Sequence, residues 1–155
     1  MELARNLKTD SVSRLMPTEA RIVAPNQTVA DAVAVMRQHR VGCVVVCENN
    51  RLVGIFTERD LLRRVLAPGL PQSTLLSACM TPNPVTVQPK ESVSAALRRM
   101  EEGGYRHLPV IDPTGKPVGI LSVKRIVHYL VEHFPATVYN LPPDPNAVPL
   151  SAEGA

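Results

Sequence analysis

The sequence predicts an α/β (α+β) fold in which two β-α-β-β-α repeats pack with pseudo-two-fold symmetry. The first observation is that the chain matches itself at a shift of 64 residues, so that Met16, Val23, Pro25, Val29, Ala32 and Met36 fall on Met80, Val87, Pro89, Val93, Ala96 and Met100. The second is that each copy alternates short β-branched runs with helical apolar periodicity. A single unit of this size is only marginally stable, so two copies are expected to share a core.

Each repeat begins with a short extended segment that ends at a proline, Arg21–Ala24 in the first copy and Val85–Val87 in the second. A helix follows, because apolar residues recur at i, i+3, i+4 and i+7 and therefore share one face. Thr28 and Asp31 have the spacing of a capping box at the start of the first of these helices.

Two strands and a second helix complete each unit. The strands are predicted at Cys43–Cys47 and Leu52–Phe56 in the first copy, and at His107–Ile111 and Pro117–Leu121 in the second. The inner faces of the second helices are predicted to be Leu61, Leu62, Val65 and Leu66 in the first copy, and Val123, Ile126, Val127, Leu130, Val131 and Phe134 in the second.

The predicted organisation is a lead-in (1–15), repeat 1 (16–70), a linker (71–79), repeat 2 (80–134) and a tail (135–155). The linker is expected to carry a short helix over Ser73–Cys79, capped by Ser73 or Thr74. The tail contains five prolines and almost no amphipathic period, so it is expected to be extended or disordered.

Composition excludes several classes of protein. Three cysteines among 155 residues suit a reducing compartment and do not form a disulfide framework, so a cytoplasmic location is expected. Apolar runs are too short to span a membrane. Single-stranded nucleic-acid binding is opposed by an aromatic content of 3%, since base stacking needs aromatic side chains. No nucleophile elbow, phosphate-binding glycine loop or paired catalytic carboxylates occur, so the chain is not expected to be an enzyme.

Two stretches carry a family resemblance: MTPNPVTVQPKESVSAALRRMEEGGYRHLPVID and VGIFTERDLLRRV. They resemble the pattern of paired cystathionine-β-synthase (CBS) domains, or Bateman modules, and the similarity covers residues 16–134. The resemblance implies two clefts between the sheets that bind adenosine-containing ligands in many members. It also implies a homodimer of two modules. Because only short segments flank the repeats, the module is expected to act in trans on a partner protein.

Thr57 and Asp60 form the strongest candidate site, because a strand delivers a hydroxyl and, three residues later, a carboxylate at a helix start. Unpaired N–H groups there would attract phosphate, and an ionised Asp60 would accept two ribose hydroxyls. The same spacing is also that of an ordinary capping box. The resemblance favours the ribose-phosphate role, and Thr57 can serve both.

The second copy departs from this pattern. Ser122 keeps the hydroxyl, but Arg125 stands where the carboxylate should be. A guanidinium has no acceptor for ribose hydroxyls. The second cleft is therefore empty, or it holds a ligand whose phosphate pairs with Arg125, or Arg125 is a plain solvated residue.

Several further positions are candidate ligand contacts. Arg106 and His107 resemble family positions that contact phosphate, although strand alternation would place them on opposite faces and the alternative is a surface arginine beside a hydrogen-bonded histidine. Gly42, Cys43 and Val44 would line an adenine slot through their main chain and small side chains. The extended segments with Ile22 and Val23, and with Thr86 and Val87, would hydrogen-bond adenine through their main chain, or would only pair at the edges of the sheets. No metal site is expected, because the cysteines read as buried apolar thiols.

The sequence therefore predicts a non-catalytic regulatory, energy-sensing module that binds AMP, ADP, ATP or NAD(H). It requires no cofactor, and the nucleotide is its regulatory ligand. The alternative is a ligand-free protein–protein interaction module in which Thr57 and Asp60 act only as a cap.

Overall fold

A computed structural model describes residues 2–134 of the chain, so the predicted tail lies outside the described residues. The helices are α1 (Glu2–Thr9), α2 (Val29–His39), α3 (Glu58–Asp60), α4 (Leu76–Cys79), α5 (Val93–Gly103) and α6 (Val123–His133). The strands are β1 (Ile22–Val23), β2 (Cys43–Glu48), β3 (Arg51–Thr57), β4 (Thr81–Pro82), β5 (His107–Ile111) and β6 (Pro117–Ser122). A 3-10 helix spans Val12–Leu15, and α3 continues as a π-helix over Leu61–Leu66. None of the helices in residues 2–134 has the length and hydropathy to cross a membrane.

Two small sheets carry the fold, and the predicted α+β class is confirmed. The first has the order β1-β2-β3-β4, with β1 parallel to β2 and the other pairs antiparallel. The second is the β5–β6 hairpin, extended by single bridges from Val87 to Val110 and from Thr18 to Ile120. The two repeats therefore use the same pairing pattern.

In each repeat, the segment before the first strand pairs with a strand of the other repeat. Thr81, which leads into the second repeat, pairs with Ile55 of β3, and Thr18, which leads into the first, pairs with Ile120 of β6. Because these segments cross between the halves, their polar side chains come to lie beside the strand ends of the opposite repeat.

The core has three parts. One apolar cluster packs under the first sheet and includes Val29, Val44 and Phe56, and a second packs under the other sheet and includes Val93 and Leu108. A third cluster joins the halves, since it consists of Cys43, Val45, Ile55 and Ile120. β2, β3 and β6 thus meet along the contact between the repeats.

The lead-in belongs to the core of the second repeat. Val12 and Leu15 are buried in its apolar cluster, and the Tyr129 hydroxyl of α6 donates to the Asp10 carboxylate. Burial, followed by this hydrogen bond to Asp10, raises the pKa of Tyr129 to about 12. The N-terminal segment is therefore a structural part of the opposite repeat.

Two local predictions were wrong. The linker helix α4 begins after Leu75, and neither Ser73 nor Thr74 caps it, because the Thr74 hydroxyl donates to the Pro71 carbonyl instead. The expected strand over Val85–Val87 reduces to main-chain pairing at Val87, whose N–H donates to Pro109 and whose carbonyl accepts from Ile111. The predicted capping box of Thr28 and Asp31 is confirmed.

The second helix of each repeat buries a narrower face than its apolar pattern predicted. Val65 is buried in the first repeat, and Ile126 and Tyr129 are the buried residues of α6. Leu62 and Leu66 are 61% and 55% exposed, and Val123 and Val127 on α6 are exposed too. The core of each repeat therefore covers only part of the apolar face of its second helix, and the remaining apolar side chains are exposed.

Candidate functional site

One large cleft, of about 1230 Å³, lies where the two repeats meet. Its walls come from the end of β3, the start of α3, the start of β5 and the segment around β4. Thr18 and Glu19, which lead into the first repeat, border it as well. The cleft therefore draws residues from both repeats.

Thr57 and Asp60 form a complete capping box in the cleft wall. The Thr57 N–H donates to Asp60 Oδ2 at 3.0 Å, and the Asp60 N–H donates to Thr57 Oγ1 at 3.2 Å. Thr28 and Asp31 have the same two distances at the start of α2. The capping role of the pair is therefore real, as the spacing alone predicted.

Asp60 has contacts that an ordinary cap lacks. It is 7% exposed and is the one buried polar or charged residue within residues 2–134. Its Oδ2 also accepts from the Thr57 hydroxyl at 3.1 Å, and its Oδ1 accepts from the Thr81 hydroxyl at 2.9 Å. Arg64 lies 3.4 Å from Oδ1 and also donates to the Met80 carbonyl. The carboxylate thus ties α3 to the segment that enters the second repeat.

The start of α3 offers fewer unpaired N–H groups than the sequence suggested. The Glu58 N–H donates to the Gly42 carbonyl at 3.1 Å, while the N–H groups of Thr57 and Asp60 are used within the capping box. Any anion in the cleft must therefore be held mainly by side chains.

Cationic side chains are abundant around the cleft. The lining includes Arg37, Arg40, Arg59, Arg63, Arg64, Arg106 and Lys124, against the carboxylates Glu19, Glu58 and Asp60. Arg59 reaches across to the second repeat and donates to the Gly104 carbonyl at 3.0 Å. The excess of positive charge favours an anionic ligand.

Gly42 lets two ionisable side chains approach the main chain. A Cβ at this position would lie 3.1 Å from Glu58 Oε1 and 3.5 Å from the His107 ring. Burial lowers the pKa of His107, Glu58 opposes this shift, and Arg106 adds to it. Burial, with a smaller contribution from Glu58, raises the pKa of the Cys43 thiol to about 12. Burial therefore favours the protonated thiol at neutral pH, which makes Cys43 a poor nucleophile.

The cleft brings together seven of the predicted site residues: Thr57, Asp60, Gly42, Cys43, Arg106, His107 and Ser122. Arg106 and His107 both border it, although alternation placed them on opposite faces, because β5 begins only at His107. Within residues 2–134, no group of His, Cys, Asp and Glu side chains could hold a metal ion.

The remaining predicted residues do not line the cleft: Val44, Val23, Val87, Ile22, Thr86 and Arg125. Val44, Val23 and Val87 are buried in the cores of their own repeats, Ile22 pairs with Val45, and the Thr86 carbonyl accepts from Arg99. The cleft is bordered instead by residues a few positions earlier, Thr18, Glu19 and 81–85. In the sequence, the polar residues that follow Met16 and Met80 are the feature that could have identified these positions as cleft residues.

The corresponding part of the second repeat is built differently. The Arg125 N–H donates to the Ser122 hydroxyl at 3.1 Å, which caps α6. The Arg125 side chain, however, turns to the lead-in and donates from Nε to the carbonyls of Leu15 and Met16.

A family model for the CBS domain matches residues 12–67 and again residues 76–132. The chain belongs to the CBS-domain family. The CBS domain-containing protein YhcV of Bacillus subtilis is 35% identical over 113 residues, which is 73% of this chain and 80% of YhcV. The chain covers only 20% of the CBS domain-containing protein CBSCBSPB3 of Arabidopsis thaliana.

Solved structures of CBS pairs share the fold. A protein with CBS domains from Burkholderia ambifaria has a TM-score of 0.73 at 27% identity, over 81% of this chain and 96% of that one. The structure of CBSX2 in complex with AMP has a TM-score of 0.67 at 26% identity, over 79% of this chain and 96% of CBSX2. The predicted resemblance to a CBS pair is confirmed.

Proposed function

We propose that this CBS pair is a non-catalytic regulatory module that binds an adenine nucleotide in the cleft beside Thr57 and Asp60. The observation that carries the proposal is the position of Asp60. A buried carboxylate, held from two repeats by the hydroxyls of Thr57 and Thr81, forms the wall of a large cleft with a positive lining.

The chemistry of the cleft matches the three parts of a nucleotide. A carboxylate accepts hydrogen bonds from the two hydroxyls of a ribose. The hydroxyls of Thr57 and Thr81 rotate freely about their C–O bonds, so either can release an Asp60 oxygen to the ribose. The arginines of the lining and Lys124 would pair with phosphate. Apolar lining side chains would contact the adenine ring: Val33, Met36, Val41, Ile55, Val85 and Ile120.

The comparisons support an adenosine ligand of this kind. CBSX2, which shares 26% of its residues in the matched region, has been crystallised with AMP. The ligand class we propose is therefore an adenine nucleotide: AMP, ADP, ATP or NAD(H).

We further propose that the module works with protein partners. The region that matches this chain makes up 80% of YhcV, so that relative consists largely of a CBS pair. This supports action in trans on a separate target. A second copy is the other partner we propose, and the exposed Leu62 and Leu66 supply an apolar surface for it.

The alternative function is a ligand-free interaction module. The observation in its favour is that the Asp60 carboxylate is fully hydrogen-bonded within the protein, so it needs no ligand to satisfy its oxygens.

A thermal-unfolding series separates the two functions. The purified protein, shown by mass spectrometry to carry no nucleotide, is heated with AMP, ADP, ATP, NAD or NADH. A ligand at a hundredfold excess over its dissociation constant adds about 2.7 kcal/mol, enough to raise the unfolding midpoint by several degrees. A selective rise supports the nucleotide module. Identical midpoints in all five nucleotides would leave the interaction module as the function.

A further inference from the structure

Two helices of the first repeat supply most of the arginines that border the cleft. Arg37 lies in the last turn of α2, and Arg40 is the residue that ends this helix. Arg59 lies on α3, and Arg63 lies on the π-helix that continues it. All four residues are exposed and line the same cleft. The first repeat therefore concentrates positive charge on one side of the proposed ligand site.

Most of these cations have no acidic partner. Arg64 lies 3.4 Å from Asp60, and the lining residue Glu19 lies 3.4 Å from Arg21, which is outside the lining. Seven cationic side chains stand against three carboxylates in the lining, which is an excess of four positive charges. Within residues 2–134, six of the seven cations form no ion pair with a carboxylate: Arg37, Arg40, Arg59, Arg63, Arg106 and Lys124.

This excess of charge fits a chain of phosphates better than a single phosphate group. One phosphate monoester carries a charge of about −1.5 to −2 at pH 7, so AMP would neutralise at most about half of the excess. Each phosphate added to the chain contributes further negative charge, and a triphosphate therefore approaches the full excess. A cleft lined by one sign of charge also concentrates the most highly charged counter-ion.

The size of the cleft agrees with a ligand longer than a nucleoside monophosphate. Its volume of about 1230 Å³ exceeds the roughly 300–1,000 Å³ of common small-molecule pockets. The cleft therefore has room for further phosphate groups beside a base and a ribose.

The arginines of α2 are the ones best suited to these further phosphates. Arg64 is held by Asp60, the proposed ribose acceptor, and Arg59 donates to the Gly104 carbonyl at 3.0 Å. Arg37 and Arg40 belong to a helix that carries none of the proposed ribose-binding residues. Their guanidinium groups can each form two parallel hydrogen bonds with phosphate oxygens.

We infer that the cleft selects a chain of three phosphates, so that a nucleoside triphosphate binds in preference to the monophosphate, and that Arg37 and Arg40 make this selection. The inference rests on the proposed function, because it narrows the class of nucleotide that the same cleft binds. The recognised chemistry is the phosphate chain, which ATP shares with inorganic triphosphate.

Isothermal titration calorimetry with AMP, ADP, ATP and inorganic triphosphate, at pH 7 without divalent cations, tests this selection. The test variant combines Arg37→Gln with Arg40→Gln. The matched control combines Arg51→Gln with Arg98→Gln, which removes the same charge at two exposed positions outside the lining. Circular dichroism and the unfolding midpoint establish that both variants are folded.

We expect ATP to bind the wild type at least about tenfold more tightly than AMP, with ADP between them. The test variant should bind ATP about tenfold more weakly than the wild type and should change the affinity for AMP by less than about threefold, because AMP lacks the further phosphates. The control variant should keep the wild-type preference. Added salt should weaken the binding of ATP more than that of AMP, since screening acts on each exposed charge pair.

The outcomes separate this inference from the proposed function. A wild type that binds AMP as tightly as ATP, or equal affinities of the test and control variants for ATP, overturns the inference while the proposed function stands. An equal salt dependence for AMP and ATP also overturns it. If the wild type binds no nucleotide, the proposed function is refuted, and inorganic triphosphate decides the inference alone. Triphosphate binding that is weaker in the test variant than in the control then supports the inference, and any other result overturns it.

Discussion

Replacement of Asp60 by alanine should cost clearly more stability than the same replacement of Asp31. Both residues complete capping boxes with the same distances, 3.0 Å and 3.2 Å. In each box the carboxylate accepts from the N–H of the cap residue, and a hydrogen bond of this kind typically contributes about 1 kcal/mol. Asp31 is exposed, so Asp31→Ala measures that term alone.

Asp60 carries two further hydrogen bonds, from the hydroxyls of Thr57 and Thr81. Leaving a buried donor without an acceptor costs about 1–3 kcal/mol, and rotation of these hydroxyls recovers part of it. We therefore expect Asp60→Ala to lower the free energy of unfolding by about 2–4 kcal/mol. At about 3 °C per kcal/mol for a chain of this length, the midpoint should fall by about 3–9 °C more than in Asp31→Ala.

Urea and thermal unfolding of nucleotide-free protein at pH 7 measure both quantities. Equal losses in the two variants would refute the reasoning, because they would mean that the contact between Asp60 and Thr81 contributes nothing to the joint between the repeats.

Three other predictions follow from the surroundings of single side chains. Burial lowers the pKa of His107, so its contribution to stability is present above about pH 6.5 and is lost as the pH falls from there towards the folded-state pKa. In His107→Gln, the free energy of unfolding should depend less on pH over this range, whereas His39→Gln, at an exposed position, should keep the wild-type dependence. Parallel pH profiles in the wild type and His107→Gln would contradict the lowered pKa of His107. Because the pKa of Cys43 is raised to about 12, its reaction with iodoacetamide at pH 9 should be slower by roughly a thousandfold than in urea, and comparable rates would show that the thiol is not held as described. Leu62→Glu and Leu66→Glu should shift the sedimentation coefficient from that of a dimer to that of a monomer while the circular dichroism spectrum stays that of the folded chain. A wild type that sediments as a monomer would contradict the proposed second copy.

Local patterns in the sequence predicted much of the fold. β5 was predicted over the residues that form it, and the Thr28 and Thr57 capping boxes are both present, because strand runs and caps depend on neighbouring residues. The repeat also predicted two similar halves. It did not predict the exposed strip at Leu62 and Leu66, because apolar periodicity does not tell how much of a helix its own core covers.

The cleft was predictable where short local motifs supply its residues. Thr57 and Asp60 were found because both lie in a single strand-to-helix turn. Thr18 and Thr81 were missed because they reach the cleft by pairing with the opposite repeat, which is a long-range event. The partners of Arg125 lie 109 and 110 residues away along the chain, so no local pattern could assign them.

Calorimetric titration of one adenine nucleotide, AMP or ATP, into the wild type, Asp60→Asn and Asp31→Asn tests the central claim most directly. Asparagine keeps the shape of the side chain and removes the charge, and a hydrogen bond to a charged group exceeds a neutral one by about 1–1.5 kcal/mol, roughly tenfold in affinity. We predict that the nucleotide binds the wild type and Asp31→Asn equally and Asp60→Asn about tenfold more weakly. Equal affinity for all three proteins, or no binding to the wild type, would contradict the assignment of the Thr57–Asp60 cleft as a nucleotide site.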